Sequence, residues 1–296
     1  MAIIFSEMNV HTPPGTATHP ALSRRQFLVR TLALFGADLL GTAISERQRI
    51  ATTFHRIPLR ALRQPVRLVQ LSDLHRSWCV PEGFIAHVVR RANALRPDVV
   101  LLTGDFVTHS AHYAESCAAQ LAHLRAPLGC YACLGNHDHD CSRQRGCPAV
   151  TRALAEAGVR MLTNRNLRLD PRLWIVGIDD CFTGHPDPEA AFRNIPATEP
   201  VIAMTHNPIY YHVLRNFPCL TLAGHTHGGQ INLPIITSVF MQARQFGRSV
   251  QLYKQGWFHE PGYPGRMYVS RGLGVVGIPL RFRATPEIAV FDLIPA

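Results

Sequence analysis

Five short polar segments of the chain contain residue types that bind metal ions. In chain order they are Asp73-Leu74-His75, Gly104-Asp105, Gly135-Asn136-His137-Asp138, His206 in AMTHNP, and Gly224-His225-Thr226-His227. Carboxylate, amide oxygen and neutral imidazole together suit Mn²⁺, Fe or Zn²⁺ better than Ca²⁺, and these segments contain no thiolate that would indicate a structural zinc site. The segments therefore predict a catalytic metal centre.

If these residues held two divalent ions, the pair would favour phosphate chemistry. Their charge exceeds that of Asp73, Asp105 and one bridging hydroxide by about one unit, so the site attracts a phosphate group. Two ions about 4 Å apart generate hydroxide at neutral pH and stabilise the entering and departing oxygens of an in-line displacement. Hydrolysis of a phosphodiester or a pyrophosphate is the reaction that such a pair of ions would support.

The order of the segments is more specific than any one of them, because D-x-H alone occurs by chance. From about residue 65 to the C-terminus the chain resembles the calcineurin-like metallophosphoesterase superfamily, with its D-x-H, G-D, G-N-H-[DE], single His and G-H-x-H. The resemblance implies a first metal ion on Asp73, His75, Asp105 and His227, and a second on Asp105, Asn136, His206 and His225. Mn²⁺ is the metal we expect, with Fe or Zn²⁺ as alternatives.

His137 is the remaining candidate for chemistry at this site. The resemblance implies that it is not a ligand but acts as a general acid or donates a hydrogen bond to the phosphoryl oxygens, with Asp138 orienting its ring. The alternative is that His137 only braces the loop that carries Asn136.

The substrate is less well defined than the reaction. The segments GHTHGGQINLP and SRGLGVVGIPLRF, with PEI, resemble a bacterial branch with twin-arginine signals that is similar to UDP-2,3-diacylglucosamine pyrophosphohydrolases. The apolar segment 228–242 is either core strand or a binding surface for acyl chains. We expect a lipid-linked or UDP-acylglucosamine-like phosphate, with nucleotide or cyclic-nucleotide hydrolysis, or a catalytically silent scaffold, as alternatives.

Arginines near the metal motifs are candidate substrate contacts, because a guanidinium binds phosphate through paired hydrogen bonds. Arg76 directly follows the D-x-H, where related enzymes often carry an apolar residue. Arg271, Arg281 and Arg283 follow the last motif and are candidates for holding a second phosphate.

The polar segments must be positioned by regular elements. The apolar runs VRLVQLSDLH, DVVLLTGDF and GCYACLGNH predict strands that end in these residues, and helical spacing appears over 82–96 and 110–124. A later strand-rich part, from MLTN to EIAVFDL, predicts a second sheet. The expected fold is α/β, with two facing mixed sheets flanked by helices and the metal residues on one rim.

The N-terminal segment 1–45 differs from the predicted catalytic domain, 46–296. The pair Arg24-Arg25 precedes a moderately apolar stretch that ends in Ala43-Ile44-Ser45, which predicts a twin-arginine signal read by that export machinery. The expected location is periplasmic or membrane-tethered. Arg30 and Asp38 interrupt the stretch, so a docking helix on a membrane-associated cytoplasmic protein is the alternative.

Composition restricts the partners. The net charge is +10, and Lys254 is the only lysine. This charge favours phosphate-bearing partners and anionic membrane surfaces, although arginine-rich codon usage also accounts for it. We find no nucleic-acid recognition module, so no specific nucleic acid is expected.

The eight cysteines are scattered through the chain, which does not predict a disulfide scaffold. Cys130 and Cys133 lie in a predicted strand, where residues three apart face opposite sides, so they do not predict a redox or zinc site. A disulfide between Cys141 and Cys147 is left open.

Overall fold

The structure, a computed structural model, describes residues 24–108, 110–140, 148–170, 173–232 and 251–296. The chain divides into two units, Met1–Gly41 and Thr42–Ala296. No helix among the described residues has the length and apolar character needed to cross a membrane. Cys141, Cys147 and residues 233–242 of the predicted acyl-binding segment lie outside the described ranges.

The helices and strands follow the predicted alternation and then the predicted strand-rich region. The helices are α1 (Arg24–Glu46), α2 (Glu82–Ala94), α3 (Ala114–Leu121), α4 (Asn136–His139), α5 (Pro148–Glu156), α6 (Pro188–Ala191) and α7 (Tyr211–Leu214). The strands are β1 (Ala51–Leu59), β2 (Val66–Leu71), β3 (Val99–Thr103), β4 (Cys130–Cys133), β5 (Val159–Met161), β6 (Arg165–Asp170), β7 (Leu173–Gly177), β8 (Val201–Met204), β9 (Cys219–Ala223), β10 (Gly256–His259), β11 (Arg266–Val269) and β12 (Glu287–Pro295).

Two six-stranded mixed sheets form the centre of the second unit. The first has the order β1-β12-β2-β3-β4-β5, in which β2 to β5 are parallel and β12 is antiparallel to β2. The second has the order β10-β11-β9-β8-β7-β6, with β11, β9, β8 and β7 parallel. The predicted architecture of two facing mixed sheets with flanking helices is confirmed.

One buried core lies between the two sheets. Leu68 and Leu101 of the first sheet and Ile202 and Leu222 of the second belong to one buried apolar cluster. Strands β3, β8 and β9 are buried along their whole length, which explains their continuous apolar sequences, since both faces of each strand are covered.

Helices cover the outer faces of the sheets. In α2 the buried residues are Ile85, Val88, Val89 and Ala92, an i, i+3, i+4, i+7 stripe that packs with the outer face of the first sheet. Cys133 belongs to the inter-sheet cluster whereas Cys130 packs against the outer one, as the strand prediction required.

Three local features differ from the sequence prediction. The helix predicted over 110–124 is a 3₁₀ turn, Ala111–Tyr113, followed by the shorter α3. Strands β1 and β10 were not predicted. Both are edge strands with partly exposed residues, so their sequences carry a weaker apolar pattern than those of the central strands.

Candidate metal centre

The predicted ligands all follow the carboxyl ends of central strands. Because parallel strands end at the same edge of a sheet, and the two sheets face each other, these ends form one rim. Asp73 and His75 follow β2, Asp105 follows β3, Asn136 follows β4, His206 follows β8, and His225 and His227 follow β9.

The backbone of most of these ligands adopts the left-handed conformation. The φ angles are 54° at Asp73, 50° at His75, 59° at Asp105, 71° at His225 and 51° at His227. Non-glycine residues in this region cost on the order of 1–3 kcal/mol each and concentrate at functional sites. The left-handed conformation turns the chain sharply after strands β2, β3 and β9, at the rim where the ligand side chains meet.

A first cluster of ligand atoms forms around His75. Its Nε2 lies 3.0 Å from His227 Nε2 and 3.3 Å from Asp105 Oδ2. His227 Nε2 lies 3.4 Å from Asp73 Oδ1. All four side chains are buried, and the structure therefore brings together the ligands predicted for the first metal ion.

A second cluster lies beside the first. His206 Nε2 is 3.1 Å from Asp105 Oδ2, and His225 Nδ1 is 3.2 Å from His206 Nε2 and 2.9 Å from Asn136 Oδ1. The same oxygen of Asp105 thus contacts a histidine of each cluster. This is the position that a bridging carboxylate would occupy.

The chemistry of these residues fits divalent cations. The Asp73 and Asp105 carboxylates are buried, and in the described ranges neither forms an ion pair with an arginine or a lysine. Buried carboxylates without a fixed cation are costly. Bound metal ions would supply permanent positive charge among these imidazole and carboxylate donors.

The protonation states support this fit. Burial lowers the pKa of His75 to about 4 and that of His225 to about 3, so both imidazoles are neutral at pH 7. Burial would also lower the pKa of His206, but the adjacent Asp105 carboxylate outweighs it and raises that pKa to about 10. In the metal-free chain His206 is therefore a cation paired with Asp105, and a metal ion would replace its proton.

Further hydrogen bonds orient the ligand rings. His206 Nδ1 donates to the carbonyl of Thr103 at 2.8 Å, which directs Nε2 toward the site, and His75 Nδ1 lies 2.7 Å from Thr108 Oγ1. Such outer contacts fix the ring orientation of metal-binding histidines. Sequence reasoning missed Thr103 and Thr108, although both are polar residues next to a predicted ligand strand.

Asp73 is held by two donors. Ser72 Oγ donates to its Oδ2 at 2.6 Å, and the backbone N–H of His225 donates to its Oδ1 at 3.0 Å. The second bond joins the end of β2 in one sheet to the end of β9 in the other. The ligand carboxylate therefore also connects the two sheets at the rim.

Asp138 supports the loop of Asp105. Its carboxylate accepts the backbone N–H groups of Asp105 and Phe106 at 2.8 Å each and that of Gly135 at 3.0 Å. Burial and the nearby Asp105 carboxylate raise its pKa to about 7. These bonds position the bridging residue, whereas the predicted orientation of the His137 ring by Asp138 stays a prediction.

His137 lies at the partly exposed margin of the site. Its backbone N–H donates to Asp105 Oδ1 at 2.9 Å, and its ring meets the His75 ring edge-on at a centroid distance of 5.0 Å. It is thus close to the ligand clusters and partly open to solvent.

Arg281 does not occupy the place expected of a substrate contact. It is fully buried, and its guanidinium donates to the carbonyls of Gly274, Arg271 and Ala284 at 2.6–2.8 Å. Its Nη2 lies 3.3 Å from His227 Nδ1. The prediction that Arg281 binds substrate is corrected, because its donors are engaged inside the protein.

The other predicted arginines differ in their surroundings. Arg76 donates to the carbonyls of Ser77 and Val80 and lies over the ring of Tyr113, so it braces its own loop. Arg271 donates through Nε to Glu287 at 3.3 Å and is partly exposed. Substrate contacts by Arg76 and Arg271 stay predictions.

The matched family model agrees with this site. Residues 66–229 match the model of the calcineurin-like phosphoesterase family. The chain therefore belongs to that family and is a metal-dependent phosphohydrolase.

The similarity to individual relatives extends over most of the chain. It is 30% identical to the UDP-2,3-diacylglucosamine pyrophosphatase LpxG of Chlamydia trachomatis, over 76% of this chain and 82% of that protein. It is 31% identical to the uncharacterized metallophosphoesterase YkuE of Bacillus subtilis, over 92% and 98%. It is 28% identical to the phosphodiesterase YaeI of Escherichia coli, over 78% and 83%.

Proposed function

We propose that the protein is a dinuclear phosphoesterase that hydrolyses a phosphodiester or pyrophosphate bond. The observation that carries the proposal is Asp105 Oδ2, which lies 3.3 Å from His75 Nε2 in one cluster and 3.1 Å from His206 Nε2 in the other. A carboxylate shared by two donor sets can bridge a pair of metal ions at the short separation that two-metal catalysis uses.

The two clusters would hold the ions. Asp73, His75 and His227 belong to the first position, Asn136, His206 and His225 to the second, and Asp105 to both. When bound, two divalent ions would supply Lewis acidity and activate water at neutral pH. Mn²⁺ is the metal we propose, with Fe or Zn²⁺ as alternatives that suit the same donors.

His137 would act on the substrate directly. At the exposed margin of the site its imidazole can donate a proton to the departing oxygen, or a hydrogen bond to the phosphoryl oxygens. The bond from its backbone N–H to Asp105 keeps the residue beside the reacting phosphate. Asp138, through the loop of Asp105, would hold the bridging carboxylate in place.

The substrate we propose is a lipid-linked or UDP-acylglucosamine-like phosphate at a membrane surface. Two considerations support it: the relative named as a UDP-2,3-diacylglucosamine pyrophosphatase, and the basic charge of the chain, which favours anionic phosphate and anionic membranes. Hydrolysis of a nucleotide or cyclic nucleotide is the alternative, and the relative named as a phosphodiesterase is compatible with either.

The test uses the purified full-length chain, freed of metal and then given Mn²⁺. We expect two bound ions per chain by metal analysis, hydrolysis of bis-p-nitrophenyl phosphate, and faster hydrolysis of UDP-2,3-diacylglucosamine than of cyclic nucleotides. The Asp105→Ala variant should lose bound metal and activity together. A chain that binds no metal, or whose activity survives a chelator, would contradict the proposal.

A further inference from the structure

Arg281 is a buried cation next to the first cluster of ligands. No carboxylate among the described residues forms an ion pair with it, and its donors are directed to backbone carbonyls. Besides those of Gly274, Arg271 and Ala284, the carbonyl of His227 lies 3.4 Å from Nη1. A planar guanidinium with five fixed donors can join several chain segments at once.

The segments joined by Arg281 are those that carry the first-position ligands. Nη2 is 3.3 Å from Nδ1 of His227, the ring nitrogen opposite the one that faces the cluster. Gly274, whose carbonyl accepts two of the bonds, donates its own N–H to the carbonyl of Asp73 at 2.6 Å. Arg281 thus contacts one ligand directly and reaches another through one residue.

Arg281 is in turn held from the end of helix α1. The Glu46 carboxylate accepts the backbone N–H groups of Arg283 and Ala284 and the hydroxyl of Thr285, each at 2.9 Å. The backbone N–H of Arg281 donates to the carbonyl of Ala43, which is itself buried. All of these residues belong to the unit that begins at Thr42.

We propose that Glu46 and Arg281 form a clasp that positions His227 and Asp73 for the first metal ion. The inference rests on the proposed two-metal function of that site. Glu46 holds residues 283–285, and the carbonyl of Ala284 in that segment accepts a hydrogen bond from Arg281. Arg281 in turn contacts Nδ1 of His227 and donates to the carbonyl of Gly274, whose N–H donates to the carbonyl of Asp73. Ala43, near the end of the predicted signal segment, and Glu46, directly after that segment, therefore belong to the support of the metal centre.

The clasp predicts a selective loss of one metal ion. In the full-length chain Glu46→Ala frees three donors of the 283–285 segment. We expect the affinity of the first position to fall by up to about 10–100-fold, the range for groups that bond metal ligands directly, because Glu46 acts through Arg281. The second position, which Arg281 does not contact in the described structure, should keep its affinity. Activity should return toward the wild-type kcat when Mn²⁺ is raised.

The experiment is a calorimetric titration of Mn²⁺ into metal-free protein, with the Mn²⁺ electron paramagnetic resonance spectrum as a readout of paired ions. Arg281→Lys should behave like Glu46→Ala, because an ammonium group cannot reach the same set of carbonyls. Glu82→Ala is the matched control, since Glu82 is an exposed glutamate that bonds only Gln120 among the described contacts. The control should bind both ions normally.

The outcomes separate the clasp from the function on which it rests. Wild-type affinity for both ions in Glu46→Ala would overturn the clasp, and equal weakening of both positions would do the same, because it would indicate a general loss of folding. A wild-type chain that binds no second ion would instead overturn the two-metal function. If Arg281→Lys does not fold, the partly exposed Glu46 site alone decides.

Discussion

At the scale of single residues, the histidines of the site differ in charge and exposure although they are the same residue type. His75 and His225 are neutral because they are buried, His206 is charged because it faces Asp105, and His137 stays partly exposed. The environment of each ring, and not its identity, decides its protonation state and its exposure to solvent. Two of these differences lead to measurements.

Replacing His137 by Ala should separate chemistry from metal binding. His137 is expected to bind neither ion, so the variant should retain both, while kcat falls by about 10²–10⁴-fold if the residue acts as a general acid. The loss should be smaller for p-nitrophenyl esters, because a good leaving group needs little protonation. Metal analysis and kcat on esters with leaving groups of different pKa provide the measurement.

Two other results for His137→Ala would change its role. Loss of bound metal would make it a ligand or a brace for the Asn136 loop. An equal fall in kcat for good and poor leaving groups would make it an electrostatic donor to the phosphoryl oxygens.

Metal uptake should release protons at neutral pH. The pKa of His206 is raised to about 10 in the metal-free chain, so the ring carries a proton that a metal ion must displace. Metal affinity should therefore rise as the pH increases from 6 toward the folded-state pKa and level off above it. Calorimetry in two buffers of different ionisation enthalpy measures the protons released, and an identical heat in both would contradict the expectation.

At the scale of elements, the site depends on the close approach of strand ends from the two sheets. A Cβ at Gly224, directly after β9, would overlap Ser72 Oγ and Asp73 Oδ2 beyond the end of β2. The glycine thus allows the N–H of His225 to reach the Asp73 carboxylate. Glycine is required at position 224 because the space between the strand ends is too small for any side chain.

Gly224→Ala should accordingly lower the free energy of unfolding by about 1–3 kcal/mol, the usual cost of overpacking, and weaken metal binding as the strand ends separate. The matched control is Gly83→Ala in α2, where an added Cβ meets nothing within 4 Å and Ala is the better helix former. Chemical denaturation and metal titration of both variants provide the measurement. Equal stability of the two variants would show that the rim relaxes without cost.

At the scale of the whole molecule, the N-terminal segment is predicted to direct export of the catalytic unit. The twin-arginine route transports folded proteins, so a metal centre of this kind can be assembled before export. Export by this route stays a prediction. An exported enzyme would meet the proposed lipid-linked substrates on the outer side of the cytoplasmic membrane.

Changing Arg24 and Arg25 together to Lys should retain the protein in the cytoplasm. The twin-arginine receptor reads the arginine pair, whereas a general secretion signal needs only positive charge. Cell fractionation with an antibody to the catalytic unit provides the measurement, and the Arg30→Lys variant is the control outside the pair. Unchanged fractionation of the double variant would favour the docking-helix alternative.

The sequence by itself determined the family and the two sheets, and it predicted the ligand set. Local patterns were sufficient for these predictions, because apolar runs define the central strands. The polar residues that follow those strands, such as Asp73 and Asp105, lie at one rim whenever the strands are parallel. Edge strands β1 and β10 escaped prediction because partial exposure weakens the apolar pattern. The arrangement of the rim thus followed from the order of the motifs.

Tertiary structure alone decided how the ligands are supported. Arg281 has the sequence context of a surface cation near a phosphate site, yet packing buries it against His227. Glu46 lies 238 residues from Ala284, whose N–H it accepts, and such a distant contact leaves no local pattern. Contacts of this kind depend on how separate segments meet in space, which periodicity and residue spacing do not encode.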